Sequence, residues 1–387
     1  MNLGKPGGDR FEAVRILIAC DKFKGSLTAT EACEAVRDGL KAAGAADDLV
    51  ICPIADGGEG FTESMVTALH GQWRTCDSFD AQHNPVAARY GLLRNAAGEL
   101  EAVMEMAEAS GLRRIPVDKR RVLHSSTFGT GSMIWDAVMA GAQRILIGIG
   151  GSATNDAGIG MAAALGVKFF DGDGEELEPI PAAMGELGSL DESALLTLPP
   201  VEVACDVENP LLGSNGASFF YGPQKGASAE EIEFLEGALG RLVDVTGAAD
   251  IADTPGAGAA GGLGFGLMRF AGARLRNGFN MVADALGLAA QIAEADLVIT
   301  GEGSLDAQTL LGKGPMGLAL LAREHGKRVV GIGGRVAPIL AESQWFDATL
   351  SLESFGLTED ECMFRAEELL RDLAGEVAGL LRHWEDS

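Results

Sequence analysis

Basic and aromatic residues are scarce in this chain of 387 residues. Lysine and arginine total 30 against 56 acidic residues, a net charge of −26, and aromatics make up only 6%. A surface this acidic repels nucleic acid and anionic membrane, so neither is an expected partner. An anionic small substrate stays open, because a local cluster of donors overrides a distant field that salt screens. Six cysteines are scattered without a C-x-x-C pair, and the 5 histidines form no cluster, which argues against a disulfide framework or a structural zinc site. Cys20, Cys52 and Cys205 lie in or at the end of apolar runs and read as buried thiols. No apolar stretch reaches ~18 residues and no signal core is present, so the expectation is a soluble, cytoplasmic protein. The G-x-x-x-x-G-K-S/T loop and the protein-kinase signatures are absent too, which excludes both of those nucleotide-binding designs.

Glycine, by contrast, is abundant: 54 residues without a repeating period, clustered after apolar runs. The length favours two domains. Residues 14–20 read as a strand ending at Asp21, followed by a helix that a Thr28/Glu31 capping box opens and Gly44 closes. Residues 49–54 predict a second strand, leading through Asp56-Gly57-Gly58-Glu59-Gly60 into a helix that reaches Gly71. The same alternation returns late in the chain. It gives a strand over 296–300, the turn Gly301-Glu302-Gly303, a helix over 315–324 and strands over 328–332 and 348–352. One long helix is then expected from the Thr358/Glu361 capping box to Trp384. Residues 73–110 alternate as antiparallel strands do, and 1–12 read as a loose tail. The prediction is an α/β protein with a flavodoxin-like, doubly wound parallel sheet in strand order 2-1-3-4-5. That domain would be discontinuous, built from residues 1–72 plus 286–387, with an inserted α/β domain of mixed sheet over 73–285. A cleft between the two domains is where ligands are expected.

The most informative stretch is Arg144-Ile-Leu-Ile-Gly-Ile-Gly-Gly-Ser-Ala-Thr-Asn-Asp156. A β-branched strand stops at Gly150-Gly151, passes Ser152, Thr154, Asn155 and Asp156, and enters an Ala-rich helix. Such a turn converges backbone amides on an anion, with Asp156 able to hold a metal or accept a proton; the alternative is a polar turn capped by Asn155 or Asp156. Asp21-Lys22-Phe23-Lys24-Gly25-Ser26 places two lysines, a serine and a carboxylate past the first strand, a donor cluster or else a solvated turn. Asp56 and Glu59 suit Mg²⁺ held through water, or a helix cap. Asp206 ends another apolar run, and Gln224 and Lys225 precede a helix, where Lys225 is a candidate for a phosphate or carboxylate. Residues 255–264 hold a literal G-x-G-x-x-G at Gly256, Gly258 and Gly261, but after Asp253-Thr254-Pro255 and not after a strand. Residues 253–258 also match the anion-hole motif of ribokinase-type sugar kinases, with Ala259 where that motif has its catalytic Asp. Glu302 and Asp306, with Lys313 close behind, suit Mg-nucleotide or substrate binding.

Taken together, DKFKGS, ADGGEG, GIGGSATND, the CDVENPL–GPQKGA pair, PGAGAAGGLG and ITGEGSLDAQT resemble the type I glycerate kinase family, in the family's order from about residue 14 to about 335. The resemblance implies phosphorylation of glycerate by ATP with Mg²⁺, usually to 2-phosphoglycerate. On that reading Lys24 and the loop from Ser152 to Asn155, with Gly150 and Gly151, hold the transferred phosphoryl and the glycerate carboxylate. Asp156 accepts the hydroxyl proton, and Asp206 is a further catalytic candidate. Mg²⁺ falls to Asp56, Glu59, Asp206, Glu302 or Asp306, and the amides of Gly256, Gly258, Gly261 and Gly262 form an ATP phosphate nest. Asp21, Ser26, Thr154, Gln224, Lys225 and Lys313 complete the expected ligand contacts. The chain departs from the family pattern at Lys22 (usually Ser), Ala157 (usually Gly) and Ser304 (usually Arg). A nicotinamide dehydrogenase would need a glycine fingerprint after the first strand, where Asp21-Lys-Phe-Lys-Gly-Ser stands instead. A non-catalytic metabolite-binding protein on an α/β scaffold is the other alternative.

Overall fold

The computed structural model describes residues 14–44, 48–55, 57–95, 97–307, 309–311 and 314–385. The expected tail over 1–12, Asp56 and Lys313 lie outside the described residues. In chain order the strands are β1 (Arg15–Ile18), β2 (Asp48–Ile51), β3 (Gln72–Phe79), β4 (Pro85–Arg94), β5 (Leu100–Glu105), β6 (Arg144–Gly148) and β7 (Lys168–Asp171). There follow β8 (Leu187–Asp191), β9 (Val201–Ala204), β10 (Arg274–Arg276), β11 (Leu297–Leu305), β12 (Arg328–Val336) and β13 (Ala348–Ser351). The chain divides into two compact units, one running to Ile54 and resuming at Gly287, the other spanning Ala55–Leu286.

The first unit is built on a five-stranded sheet in the order β13-β12-β11-β1-β2, parallel at every pairing. Numbered within the unit, this is the flavodoxin-like order 2-1-3-4-5. Its central strands are apolar on both faces, as a parallel sheet covered on both sides requires. Ile16, Ile18, Leu297, Ile299, Val330 and Ile332 meet the helices Ala29–Ala42 and Ala366–Glu385. The helices Leu288–Glu294 and Gly314–Glu324 pack on the sheet as well. Both expected capping boxes form. Thr28 Oγ1 accepts from the Glu31 amide at 3.2 Å while Glu31 Oε2 accepts from the Thr28 amide at 2.8 Å, and Thr358 and Glu361 repeat the arrangement. The expected single C-terminal helix is two, Glu359–Phe364 and Ala366–Glu385, broken at Arg365.

β11 and β12 outrun their sequence-based ends at Thr300 and Ile332. Their ladder continues through Glu302↔Gly333 and Ser304↔Arg335 to Leu305↔Val336. The glycines there read as strand stops, but a ladder needs only backbone groups.

The second unit holds a six-stranded sheet in the order β10-β9-β6-β5-β4-β3. β3, β4 and β5 pair antiparallel, while β5, β6, β9 and β10 run parallel. β7 and β8 form a separate antiparallel pair. The division near 72 expected from the sequence falls instead at 54/55. The helix Phe61–Ala68 packs on β4 and β5 and so belongs with the second unit.

Candidate active site

The turn after β6 has an open side and a closed side. Gly150 and Gly151 are exposed, and among the described residues the amides of Gly150, Gly151 and Ser152 have no acceptor. The turn is pinned from behind: Leu112 donates to the Gly151 carbonyl and Ala153 to the Ser110 carbonyl, both at 2.9 Å. Three successive amides without a protein acceptor beyond a strand end are the arrangement from which anion-binding concavities are built.

Beneath it the polar residues face inward. Asp156 is fully buried, and its carboxylate takes four donors: the Thr127 amide at 2.7 Å, Thr127 Oγ1 at 2.8 Å, the Gly158 amide at 3.1 Å and the Gly160 amide at 3.2 Å. Burial pushes the Asp156 carboxyl up from its ordinary value, against the pull of these bonds. Lys225 is only 1% exposed, and its Nζ donates to the Thr154 carbonyl at 2.6 Å. Burial lowers the Lys225 ammonium to about 7, opposed by the charge of Asp156. Asn155 Nδ2 donates to Ser218 Oγ at 3.1 Å. Lys225 and Asp156 therefore brace the turn from inside. Lys225 was expected to reach a ligand and Asp156 to accept a proton; burial opposes both roles, and the four donors on Asp156 further oppose the second. Gln224 is exposed, and its carbonyl accepts from Arg120.

The glycine segment at 256–262 behaves differently from the β6 turn. Its glycines are buried, and several of its amides are engaged: Gly258 donates to Asn209, Ala259 to Gly256 and Gly262 to Gly258. Gly261 returns a carbonyl to the Ala157 amide at 3.1 Å. Ala260, Gly261 and Gly262 are all left-handed (φ 56°, 69° and 85°), which interrupts the helix Ala259–Ala271 near its start. A Cβ on Gly261 would stand 1.9 Å from the Thr154 oxygen and 2.7 Å from Lys225 Nζ. These glycines pack two backbones together, and two amides of the expected phosphate nest, those of Gly258 and Gly262, are used within the protein. Ala157, opposite Gly261, also has positive φ (47°), the conformation that glycine adopts without strain.

Asp206 is exposed just past β9, and its Oδ1 accepts from Asn277 Nδ2 at 2.7 Å and the Gly278 amide at 2.8 Å. Gly58 lies against Gly150, which brings the turn at 57–60 beside the β6 turn. Glu59 is exposed and ion-paired to Arg113, a pairing that competes with its expected metal role. The first turn of the helix Phe61–Ala68 is held by Glu105, whose Oε1 accepts from the Thr62 amide at 3.0 Å.

In the first unit, charged groups gather at the C-terminal ends of β1, β11 and β12, the edge where open α/β sheets take ligands. Asp21 is buried and salt-bridged to Lys22 at 3.6 Å. Ser26 Oγ donates to the Phe23 carbonyl at 3.0 Å, so it closes its own turn. Lys24 is exposed and makes no ion pair or hydrogen bond among the described residues. Glu302 accepts from Thr309 Oγ1 at 2.7 Å, and Asp306 from Ser304 Oγ at 3.0 Å. Both carboxylates are partly exposed.

This fold and these turns have close counterparts. A model of the glycerate kinase family matches residues 16–382. The chain belongs to the glycerate kinase family. It is 40% identical to the glycerate kinase of Bacillus subtilis (strain 168) over 95% of this chain and 98% of that protein. The glycerate 2-kinase of Escherichia coli (strain K12) is 43% identical over 83% of this chain and 85% of its own. A crystal structure from Salmonella typhimurium LT2, described as a glycerate kinase 2, superposes with a TM-score of 0.85 at 40% identity, covering 97% of this chain and all of that one. The chain is thus an enzyme of the glycerate kinase family.

Several residues of this family member were not legible as site elements. Thr127, 29 positions before Asp156, supplies two of its four donors, and Ser218 holds Asn155 from 63 positions away. Arg335 was hidden because β12 was expected to stop before it; period-2 alternation carried through Gly333-Gly334 was the available signal.

Proposed function

We propose that the chain phosphorylates D-glycerate with ATP and Mg²⁺, giving 2-phosphoglycerate. The observation that supports this most is the turn over 150–152, three amides without an acceptor among the described residues, above a buried brace. Phosphoryl transfer asks a protein mainly for positioning and for neutralisation of charge. On this reading the amides of Gly150, Gly151 and Ser152 hold an oxyanion of the reactants. Lys24, exposed and without an ion pair or hydrogen bond among the described residues, supplies neutralising charge. Asp156 and Lys225 are positioning residues that keep those amides aimed outward. Asp206, whose carboxylate is exposed and oriented through Oδ1, is the better-placed group to accept the hydroxyl proton.

Mg²⁺ needs only one or two protein carboxylates, since water and phosphate oxygens complete its shell. Glu302 and Asp306, partly exposed at a strand end, fit that demand. When bound, the ion would supply charge neutralisation at phosphate oxygens.

The test is ADP release by purified protein with Mg-ATP and D-glycerate, beside L-glycerate, tartronate and no acceptor, with ³¹P NMR of the product. Release that depends on D-glycerate, with a 2-phosphoglycerate resonance, is expected. Folded protein that releases no ADP with D-glycerate would sink the reading.

A further inference from the structure

The end of β12 carries a cation, Arg335. Backbone pairing sets Arg335 directly opposite Ser304 on β11, so the two side chains leave the sheet on the same face. The guanidinium crosses to the neighbouring strand: Nη2 donates to Ser304 Oγ at 3.3 Å and stands 4.0 Å from Asp306 Oδ2. The side chain is 62% exposed, and an ion pair that long and that open contributes little to stability. The contacts give the charge a direction while leaving it available.

Its surroundings are those of a ligand edge. A Cβ on Gly303 would lie 3.1 Å from the Lys24 amide nitrogen, and one on Gly334 would lie 2.5 Å from the Gly303 oxygen. The backbones bearing Lys24, Ser304 and Arg335 are therefore in contact, past the C-terminal ends of parallel strands. Lys24 has no partner among the described residues, and Arg335 has only the two long contacts to Ser304 and Asp306. In a chain with a net charge of −26, two cations so loosely paired on adjoining segments are charges that the fold leaves available to an anionic ligand. The planar fork of arginine matches a carboxylate or phosphate through two parallel bonds.

We propose that Arg335 is a substrate-recognition residue that pairs with an oxyanion of one reactant, and that Ser304 and Asp306 orient it for this. The proposal rests on the kinase reading. It is tested in the full chain with Arg335→Ser, Arg335→Lys, and Arg335→Ser combined with Ser304→Arg, which returns a guanidinium from the opposite strand. Arg335→Ser should raise KM for one reactant about tenfold or more, with an unchanged melting temperature. A rise for D-glycerate assigns the carboxylate; a rise for ATP assigns a phosphate. Arg335→Lys should recover part of the loss, and the double variant more of it. Unchanged KM values in Arg335→Ser, or a loss that the double variant does not recover, would overturn the proposal. If the wild type consumes no ATP, calorimetric titration with D-glycerate and with Mg-ADP still reads Arg335: weaker binding of either ligand in Arg335→Ser supports it, and equal binding overturns it.

Discussion

Two glycine-rich segments of the second unit look alike in sequence and do opposite things. After β6, Gly150 and Gly151 are exposed and their amides find no acceptor among the described residues. Between 256 and 262 the glycines are buried and most of the amides are satisfied within the chain. The first set leaves backbone donors exposed. The second lets one backbone lie on another, with Gly261 seated against Thr154 and Lys225. A glycine therefore signals close approach without saying whether a ligand or the protein itself approaches.

The largest expected effect falls on the buried segment. Gly261→Ala puts a methyl 1.9 Å from the Thr154 oxygen at a position with φ 69°. Overpacking and left-handed strain together should cost about 3–4 kcal/mol, seen as a fall of about 10 °C in melting temperature. A variant melting within 2 °C of wild type would show that the two segments are not packed this way. The open segment should respond in activity instead. At Gly151 the nearest atom to an added Cβ is Ala107 Cβ at 3.8 Å, so a side chain fits, and Asp and Asn both tolerate its φ of 72°. Gly151→Asp sets a carboxylate among the open amides and should lower kcat/KM for glycerate at least tenfold, about 1.4 kcal/mol. Gly151→Asn, the same size without charge, should lose much less. Equal losses in the two variants would assign the turn a steric role and not an electrostatic one.

The same contrast explains what the sequence could and could not disclose. Strand order was legible because apolar runs such as Ile16–Ile18 and Leu297–Ile299 end at Asp or Gly and alternate with helices that carry capping boxes. Strand length was not, because Gly301, Gly303, Gly333 and Gly334 look like stops in the sequence although they pair within β11 and β12 or lie between paired residues. The unit boundary moved for a similar reason: a strand–turn–helix pattern does not say which sheet its helix will cover. Candidate residues were found by type, and their direction stayed hidden. Asp156 and Lys225 have the chemistry of a site, but Thr127 and the Thr154 carbonyl, supplied by distant stretches of chain, turn them inward. Ala157 was legible as a departure from the family pattern, and its φ of 47° now gives the physical reason that glycine suits the position.

If Lys225 is an internal brace, stability must register its titration. Burial lowers the ammonium in the folded protein to about 7, while an unfolded lysine titrates near its usual 10.5. Between those values the unfolded chain binds the proton and the folded chain does not, so stability rises with pH. Below about 7 both states are protonated and the cost of the buried charge is constant; above about 10.5 both are neutral and it vanishes. From pH 7 to 8 the gain should be about 1 kcal/mol, the smallest effect considered. Other groups titrate in this range, so the quantity to measure is the difference between wild type and Lys225→Met in urea unfolding at pH 7, 8 and 9. Methionine removes the titration and leaves the Thr154 carbonyl unpaired, a penalty that does not vary with pH. The wild type should gain on the variant as pH rises. A constant difference would mean that Lys225 keeps its proton across the range, as an ammonium facing water or an anion would, and the distinction between an open turn and its buried brace would collapse at that residue.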